Sequence, residues 1–249
     1  MRVAALYDIH GMVAALDAVL DELSAVEVDV LVVGGDVAAG PQPAKTLERL
    51  RALGDRVRWV RGNADREVAT GDAGGLSSEV EAVIRWTAAQ LTEEQRSFLG
   101  ALPENVILEV TGLGNVCFCH GTPRSDEEIV TEATPDDHLR DVLAAVSESI
   151  VVAGHTHMQF DRSIDGARWV NAGSVGMPYE GEVAAFWALL GPDVELRKTS
   201  FDVDRAAEAI LASGWPGADG FVRENVRTAV RREDVVPFFE QVAIDRGER

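Results

Sequence analysis

Apolar positions in the first quarter of the chain switch between two periods. Residues 3–7 form a short apolar run, and Val13, Leu16, Val19, Leu20 and Leu23 follow at the three-and-four spacing of one helix face. Residues 28–33 are almost continuously apolar, as in a strand buried on both faces. Pro43 suits the first turn of a second helix, in which Leu47, Leu50 and Leu53 share a face, and residues 57–60 read as a third strand. This β-α-β-α-β order predicts a largely parallel sheet with right-handed crossovers.

The pattern then breaks. Gly71, Gly74 and Gly75 mark a loop, and Ser78-x-x-Glu81 and Thr92-x-x-Gln95 read as capping boxes opening two helices. They predict a helical insertion over about 76–100, part of a cap spanning about 64–102 above the mouth of a site. Strand signals return at 106–110 and 115–119. Thr134 and Pro135 start a helix carrying Leu139, Val142, Leu143 and Val146, and residues 149–153 form another strand. Short runs at 160–164, 168–170, 183–190 and 194–198 read as an antiparallel set. Asp202 caps a helix that ends before Gly214. Residues 215–249, charged and weakly patterned, read as a peripheral helix with a loose tail, and residues 1–249 together as one α/β domain.

Charge narrows the partners. With 23 Lys and Arg against 42 Asp and Glu, the formal net charge is -19. Such a chain repels nucleic-acid backbones and anionic membranes, so duplex DNA and a membrane surface are not expected partners. No apolar run approaches the roughly 20 residues that span a bilayer, and no signal peptide is evident, so a cytoplasmic protein is expected. The two cysteines, Cys117 and Cys119, lie two apart in a strand and read as small buried residues, not as a disulfide or a metal pair. An acidic enzyme that handles phosphate needs a concentrated positive site, and metal ions are the obvious means.

The chemistry-bearing residues follow strand ends, where open α/β sheets place their ligands. Asp8-Ile9-His10-Gly11 follows the first strand, Gly34-Gly35-Asp36 the second and Gly62-Asn63-Ala64-Asp65 the third. His120-Gly121 and Gly154-His155-Thr156-His157 follow two later ones. Four of the five histidines fall in these blocks. Carboxylate, amide oxygen and imidazole together suit Mn²⁺, Fe or Zn²⁺ better than Ca²⁺.

In this order the blocks resemble the calcineurin-like metallophosphoesterases, whose pattern is D-x-H, G-D, G-N-H-D/E, H and G-H-x-H. The match covers residues 1 to about 175. The resemblance implies a four-layer α/β/β/α sandwich with two divalent ions (Mn, Fe or Zn) at its upper edge. It implies that Asp8, His10, Asp36 and His157 hold the first ion and that Asp36 bridges to a second, completed by Asn63, His120 and His155. Asp36, Asn63 and His120 are then the catalytic residues. A metal-bridging hydroxide attacking in line, with a small phosphoester or nucleotide as substrate, is the implied reaction.

Two departures matter. Ala64 stands where the family carries a histidine that contacts phosphate or protonates the leaving group. A branch of small prokaryotic members lacks that histidine and looks suited to phosphodiesters. The expected activity is therefore phosphodiester or dinucleoside polyphosphate hydrolysis, the alternatives being a phosphomonoesterase or protein phosphatase, or a non-catalytic metal-binding scaffold. Met12 replaces a family asparagine and reads as core packing. Arg66 and Arg124 are candidate substrate contacts, since guanidinium matches phosphate in a bidentate way, and Ser174 is a third in the turn 171–176, which reads first as a tight turn bracing the metal loops. His138 reads as a surface residue, and of Trp59, Trp86, Trp169, Trp187 and Trp215 only Trp86 is a candidate for stacking on a base.

Overall fold

The computed structural model describes residues 1–72 and 77–249; Gly74 and Gly75 of the predicted loop lie outside the described residues. The opening alternation is present as β1 (Val3–Leu6), α1 (Val13–Leu23), β2 (Val30–Val33), α2 (Pro43–Arg51) and β3 (Val57–Trp59). β1 pairs with β2 and β2 with β3, both parallel. All four residues of β1 and of β2 are buried, which is why their sequences show no polar alternation.

Three helices follow β3: α3 (Asn63–Thr70), α4 (Ser78–Gln90) and α5 (Glu93–Gly100). The last two occupy the predicted insertion. Thr92 and Gln95 form the expected reciprocal cap, Gln95 N–H donating to Thr92 Oγ1 (3.2 Å) and Thr92 N–H to Gln95 Oε1 (2.9 Å). The cap of α4 is Ser77 and not Ser78: its hydroxyl accepts from Val80 N–H. α3 is unexpected, because its eight residues are mostly polar and carry no apolar stripe.

The chain continues through β4 (Asn105–Val110), β5 (Gly114–Cys119), α6 (Asp136–Leu143), β6 (Ile150–Ala153), β7 (Gln159–Ile164) and β8 (Ala167–Ala172). It then forms β9 (Ala185–Leu190), β10 (Val194–Thr199), α7 (Val203–Leu211), α8 (Ala218–Phe221) and α9 (Arg232–Asp245). The strands form two five-stranded sheets, β10-β9-β1-β2-β3 and β4-β5-β6-β8-β7. The predicted antiparallel set is therefore split. β7 and β8 are antiparallel to each other, but β8 runs parallel to β6. β9 crosses to the first sheet, antiparallel to β1, with β10 outside it.

Strand alternation sorts the core into layers. Val3, Ala5, Tyr7 and Val32 of the first sheet pack on Val116, Phe118, Val152 and Val170 of the second. The opposite face of the first sheet (Ala4, Leu6, Leu31, Val33) packs on Leu16, Leu47 and Ile210 of its helices. The opposite face of the second, Cys117 and Cys119 included, packs on Leu139 and Val142 of α6. Helix, sheet, sheet and helix are the four expected layers. Both cysteines are free and buried. Met12 is core, 2% exposed. His138 departs from its expected surface position, its imidazole lying 3.2 Å from Glu128 Oε1 with only 12% of the side chain exposed.

The final segment is not loose. Arg232 of α9 donates to Gln159 O (2.8 Å) and pairs with Glu180 (2.6 Å). Beyond the helix, Glu248 accepts from Ile129 N–H (3.0 Å) and Arg249 donates to Ile129 O (3.0 Å). No helix among the described residues is long and apolar enough to cross a membrane.

Candidate metal centre

The candidate ligands stand on turns just past β1, β2, β3, β5 and β6, all at one edge of the paired sheets. Among the described residues, six non-glycine residues have positive φ, and five of them are Asp8 (51°), His10 (47°), Asp36 (50°), His155 (65°) and His157 (60°). The left-handed region costs a non-glycine residue of order 1–3 kcal/mol, so such a concentration marks a site where the fold imposes geometry.

The main chain imposes it. Asp8 N–H donates to Gly35 O (3.2 Å) and His10 N–H to Asp36 O (2.9 Å), lacing the first two turns together. Gly154 N–H donates to His120 O (2.9 Å), lacing the last two. His155 N–H donates to Asp8 Oδ2 (2.9 Å) and so joins the two sheets across the site. Gly154 has to be glycine: a Cβ there would meet Asp8 Oδ2 at 2.4 Å. Asp36 Oδ1 accepts from Ala64 N–H (2.8 Å) in the first turn of α3, where the helix dipole also favours an anion. Buried Asp65 fixes that turn, its carboxylate accepting from Gly62 N–H (3.1 Å) and Val37 N–H (3.0 Å).

Hydrogen bonds also set the histidine tautomers. His10, His120 and His157 each present Nδ1 to a carbonyl, those of Ala39 (3.1 Å), Gly34 (2.9 Å) and Met177 (2.8 Å). A carbonyl only accepts, so Nδ1 carries the proton and Nε2 the lone pair. The Nε2 atoms of His10 and His157 then face each other at 3.2 Å. Asp8 Oδ1, buried and without a hydrogen-bond partner, lies 3.2 Å from His157 Nε2. Lone pairs and a carboxylate oxygen converging this closely need a positive charge between them.

Two clusters of ligand atoms result: Asp8, His10 and His157, and Asp8, Asp36 and His120. Asp36 Oδ2 lies between the sets, 3.8 Å from His10 Nε2 and 3.5 Å from His120 Nε2. Asn63 Oδ1 adjoins the second, 3.2 Å from His120 Nε2. His155 donates from Nε2 to Glu127 O (3.1 Å), which leaves the lone pair on Nδ1. The buried oxygen without a partner, the inward lone pairs and the mixed donor set all fit divalent transition-metal ions.

Titration behaviour agrees. Burial pushes His155 down to about 4, helped by the charge on His120, and burial likewise lowers His10. Both are thus neutral and able to ligate. Burial would lower His120 too, but the carboxylates of Asp36 and Asp8 outweigh it and hold it up at about 10. A cation in that field would take the place of the proton. Burial raises Asp36, yet the neighbouring imidazoles, His120 first, bring it well below the usual carboxylate range.

The expected substrate contacts fare differently. Arg66 is held by Asp126 (3.0 Å) and Glu127, and Arg124 by Glu128 (2.6 Å) and Asp141 (2.6 Å). Neither lines the cavity above the clusters, because nearby carboxylates capture both side chains first. Ser174 is buried with its hydroxyl donating to Asp8 O (2.7 Å), so it braces a metal turn from below. Trp86 does not line the cavity either; it lies in a separate groove with Pro41 and Gln90. Ala64 does line it.

Two other neighbours of the site, Tyr179 and Glu67, were not anticipated. Tyr179 stacks on His157, with centroids 5.0 Å apart and planes 25° apart. Glu67 lines the cavity, and burial together with the Asp36 charge raises its carboxyl to about 7. Asn171 donates from Nδ2 to Gly154 O (2.7 Å) and Thr156 Oγ1 (3.0 Å), holding the Gly154–His157 turn. Tyr179 lies in a Gly- and Pro-rich stretch without periodicity, whereas the spacing Asn63-x-x-x-Glu67 on a helix could have drawn attention to Glu67.

A structure from Sphaerobacter thermophilus described as a metallophosphoesterase is similar to this chain at 25% identity and a TM-score of 0.70, covering 89% of this chain and 97% of its own. A hypothetical protein from Pyrococcus horikoshii OT3 has the same fold, with 22% identity and a TM-score of 0.78 over 89% and 97% of the two chains. No curated protein matches in sequence. Residues 1–190 match the calcineurin-like phosphoesterase superfamily domain, and the chain belongs to that superfamily.

Proposed function

We propose that the protein hydrolyses phosphoesters, phosphodiesters before monoesters, with two divalent ions. Asp8, His10 and His157 hold one ion, Asn63, His120 and His155 the other, and Asp36 is shared. The observation that carries this reading is the inward convergence of lone pairs from five turns, with five of the ligand residues held at positive φ. When bound, the ions supply positive charge that draws phosphate and acidify a water so that it attacks phosphorus near neutral pH.

The chain's own residues do the rest. The carbonyls of Ala39, Gly34, Met177 and Glu127 fix the imidazole orientations. The first turn of α3 holds Asp36 through Ala64 N–H, so this position contributes a backbone donor and no side-chain acid. Losing a general acid costs about 10²–10⁴-fold with a poor leaving group and far less with a good one. Diesters with acidic leaving groups are therefore favoured.

Purified protein supplied in turn with Mn²⁺, Fe²⁺ and Zn²⁺ should cleave bis(p-nitrophenyl) phosphate with a higher kcat/KM than p-nitrophenyl phosphate. EDTA should abolish the activity. Faster monoester turnover would remove the diester preference, and EDTA-resistant activity would remove the metal mechanism.

A further inference from the structure

Above the ligands lies a cavity of about 480 Å³ whose floor includes His10, Asp36, Asn63, His155 and His157. Its walls come from elsewhere. α4 contributes Val80, Val83 and Ile84, and the segment beyond residue 190 contributes Trp215, Phe221 and Phe239. Aromatic rings lead from the ligands to the rim: Tyr179 stacks on His157, Phe239 lies 6.3 Å beyond Tyr179, and Phe238 follows at 5.8 Å. Trp215 and Phe221 meet edge to face at 5.0 Å.

No lysine or arginine appears among the described residues that line this cavity. Its acidic side chains away from the ligands are Glu67 and Glu79. A polyphosphate tail would carry further negative charges past the ions into a wall with no cation to receive them, in a chain of net charge -19. A phosphodiester brings one negative charge, which the ions neutralise, and leaves its arms to apolar walls. Cavities of this size and lining take flat or apolar groups and orient them with few polar contacts.

We infer that the substrate is a phosphodiester with a single negative charge and at least one flat aromatic arm, seated between Tyr179, Phe239 and Trp215, and that dinucleoside polyphosphates are poor substrates. This rests on the proposed diesterase reading and narrows it.

Calorimetry on the protein with Mn²⁺ tests the inference independently of turnover. Diphenyl phosphate should bind about tenfold more tightly than dimethyl phosphate, the scale of stacking on one aromatic residue. Phe239→Ala should bring that ratio toward unity. Val80→Lys, at a position 39% exposed and so safe for folding, should raise turnover of diadenosine tetraphosphate relative to bis(p-nitrophenyl) phosphate. Equal binding of the two diesters, or a ratio unchanged by Phe239→Ala, overturns the inference, as does a wild-type preference for the tetraphosphate. If no ester is hydrolysed with any of the three metals, the proposed function fails while the binding contrast still decides this one.

Discussion

The floor and the walls of the cavity are built by opposite means. On the floor the main chain does the holding: turns from both sheets are laced by backbone hydrogen bonds, five candidate ligands sit at positive φ, and Asp8 and His120 are at most 1% exposed. The walls are side chains of α4 and of the segment beyond residue 190, which pack from outside. Val80 is 39% exposed and Phe238, next to wall residue Phe239, is 63% exposed. A floor held by backbone geometry has one arrangement, and a single added methyl can spoil it. Walls held by side chains can change their lining without disturbing the floor. On the proposed function, metal chemistry and the choice of substrate are then separable, and each can be perturbed alone.

The largest effect should come from Asp36→Ala. It removes one of the two carboxylates between the ligand sets, the one proposed to be shared by the ions, so metal content measured on the purified protein and turnover should both be lost. Retained metal would mean that Asp8 alone joins the sets. Gly154→Ala is expected next, at about 10²-fold in kcat, because its Cβ would displace Asp8 Oδ2 on a scale at which reacting groups lose alignment. An unaffected enzyme would show that the floor yields more than its hydrogen bonds suggest. Asn171→Ala removes a donor to Gly154 O and Thr156 Oγ1 and leaves buried Gly173 N–H without its acceptor, and should cost about 1–3 kcal/mol in denaturant unfolding. It should also weaken metal binding by about tenfold, the low end for a group that orients ligands.

The same division decides what was legible in the sequence. The floor could be read because a strand end followed by a ligand with a glycine beside it is a local pattern, repeated at five turns. The parallel half of the first sheet was equally plain, since strands buried on both faces leave continuous apolar runs. Direction was not legible in the second half. Nothing local distinguishes β8, parallel to β6, from β9, which crosses to the other sheet beside β1. The walls were missed because their apolar residues do not form stripes: α9 has Pro237 inside it and Phe238 and Phe239 side by side, so one ring faces solvent and the other the cavity. Arg66 and Arg124 look like phosphate ligands in sequence because the carboxylates that capture them lie as far as 61 residues away.

The smallest expected effect bears most directly on the comparison. If substrate charge is handled by the floor alone, arginines near the rim should not matter to turnover. Arg66 is 40% exposed and pairs with Asp126, itself shared with Arg61 at 3.7 Å, and Arg124 is 38% exposed and pairs with Glu128 and Asp141. Half-exposed pairs of this kind contribute about 0–1 kcal/mol to stability. Arg66→Ala and Arg124→Ala should therefore fold, lose little stability, and keep kcat/KM on a diester within about threefold, which corresponds to well under the 1.36 kcal/mol of a tenfold change. The measurement is kcat/KM for each variant at low and at high salt. A tenfold loss confined to low salt would mean that a guanidinium leaves its carboxylates to meet the incoming anion. The walls would then carry positive charge after all, and the separation between a charged floor and an uncharged enclosure would fail at the rim.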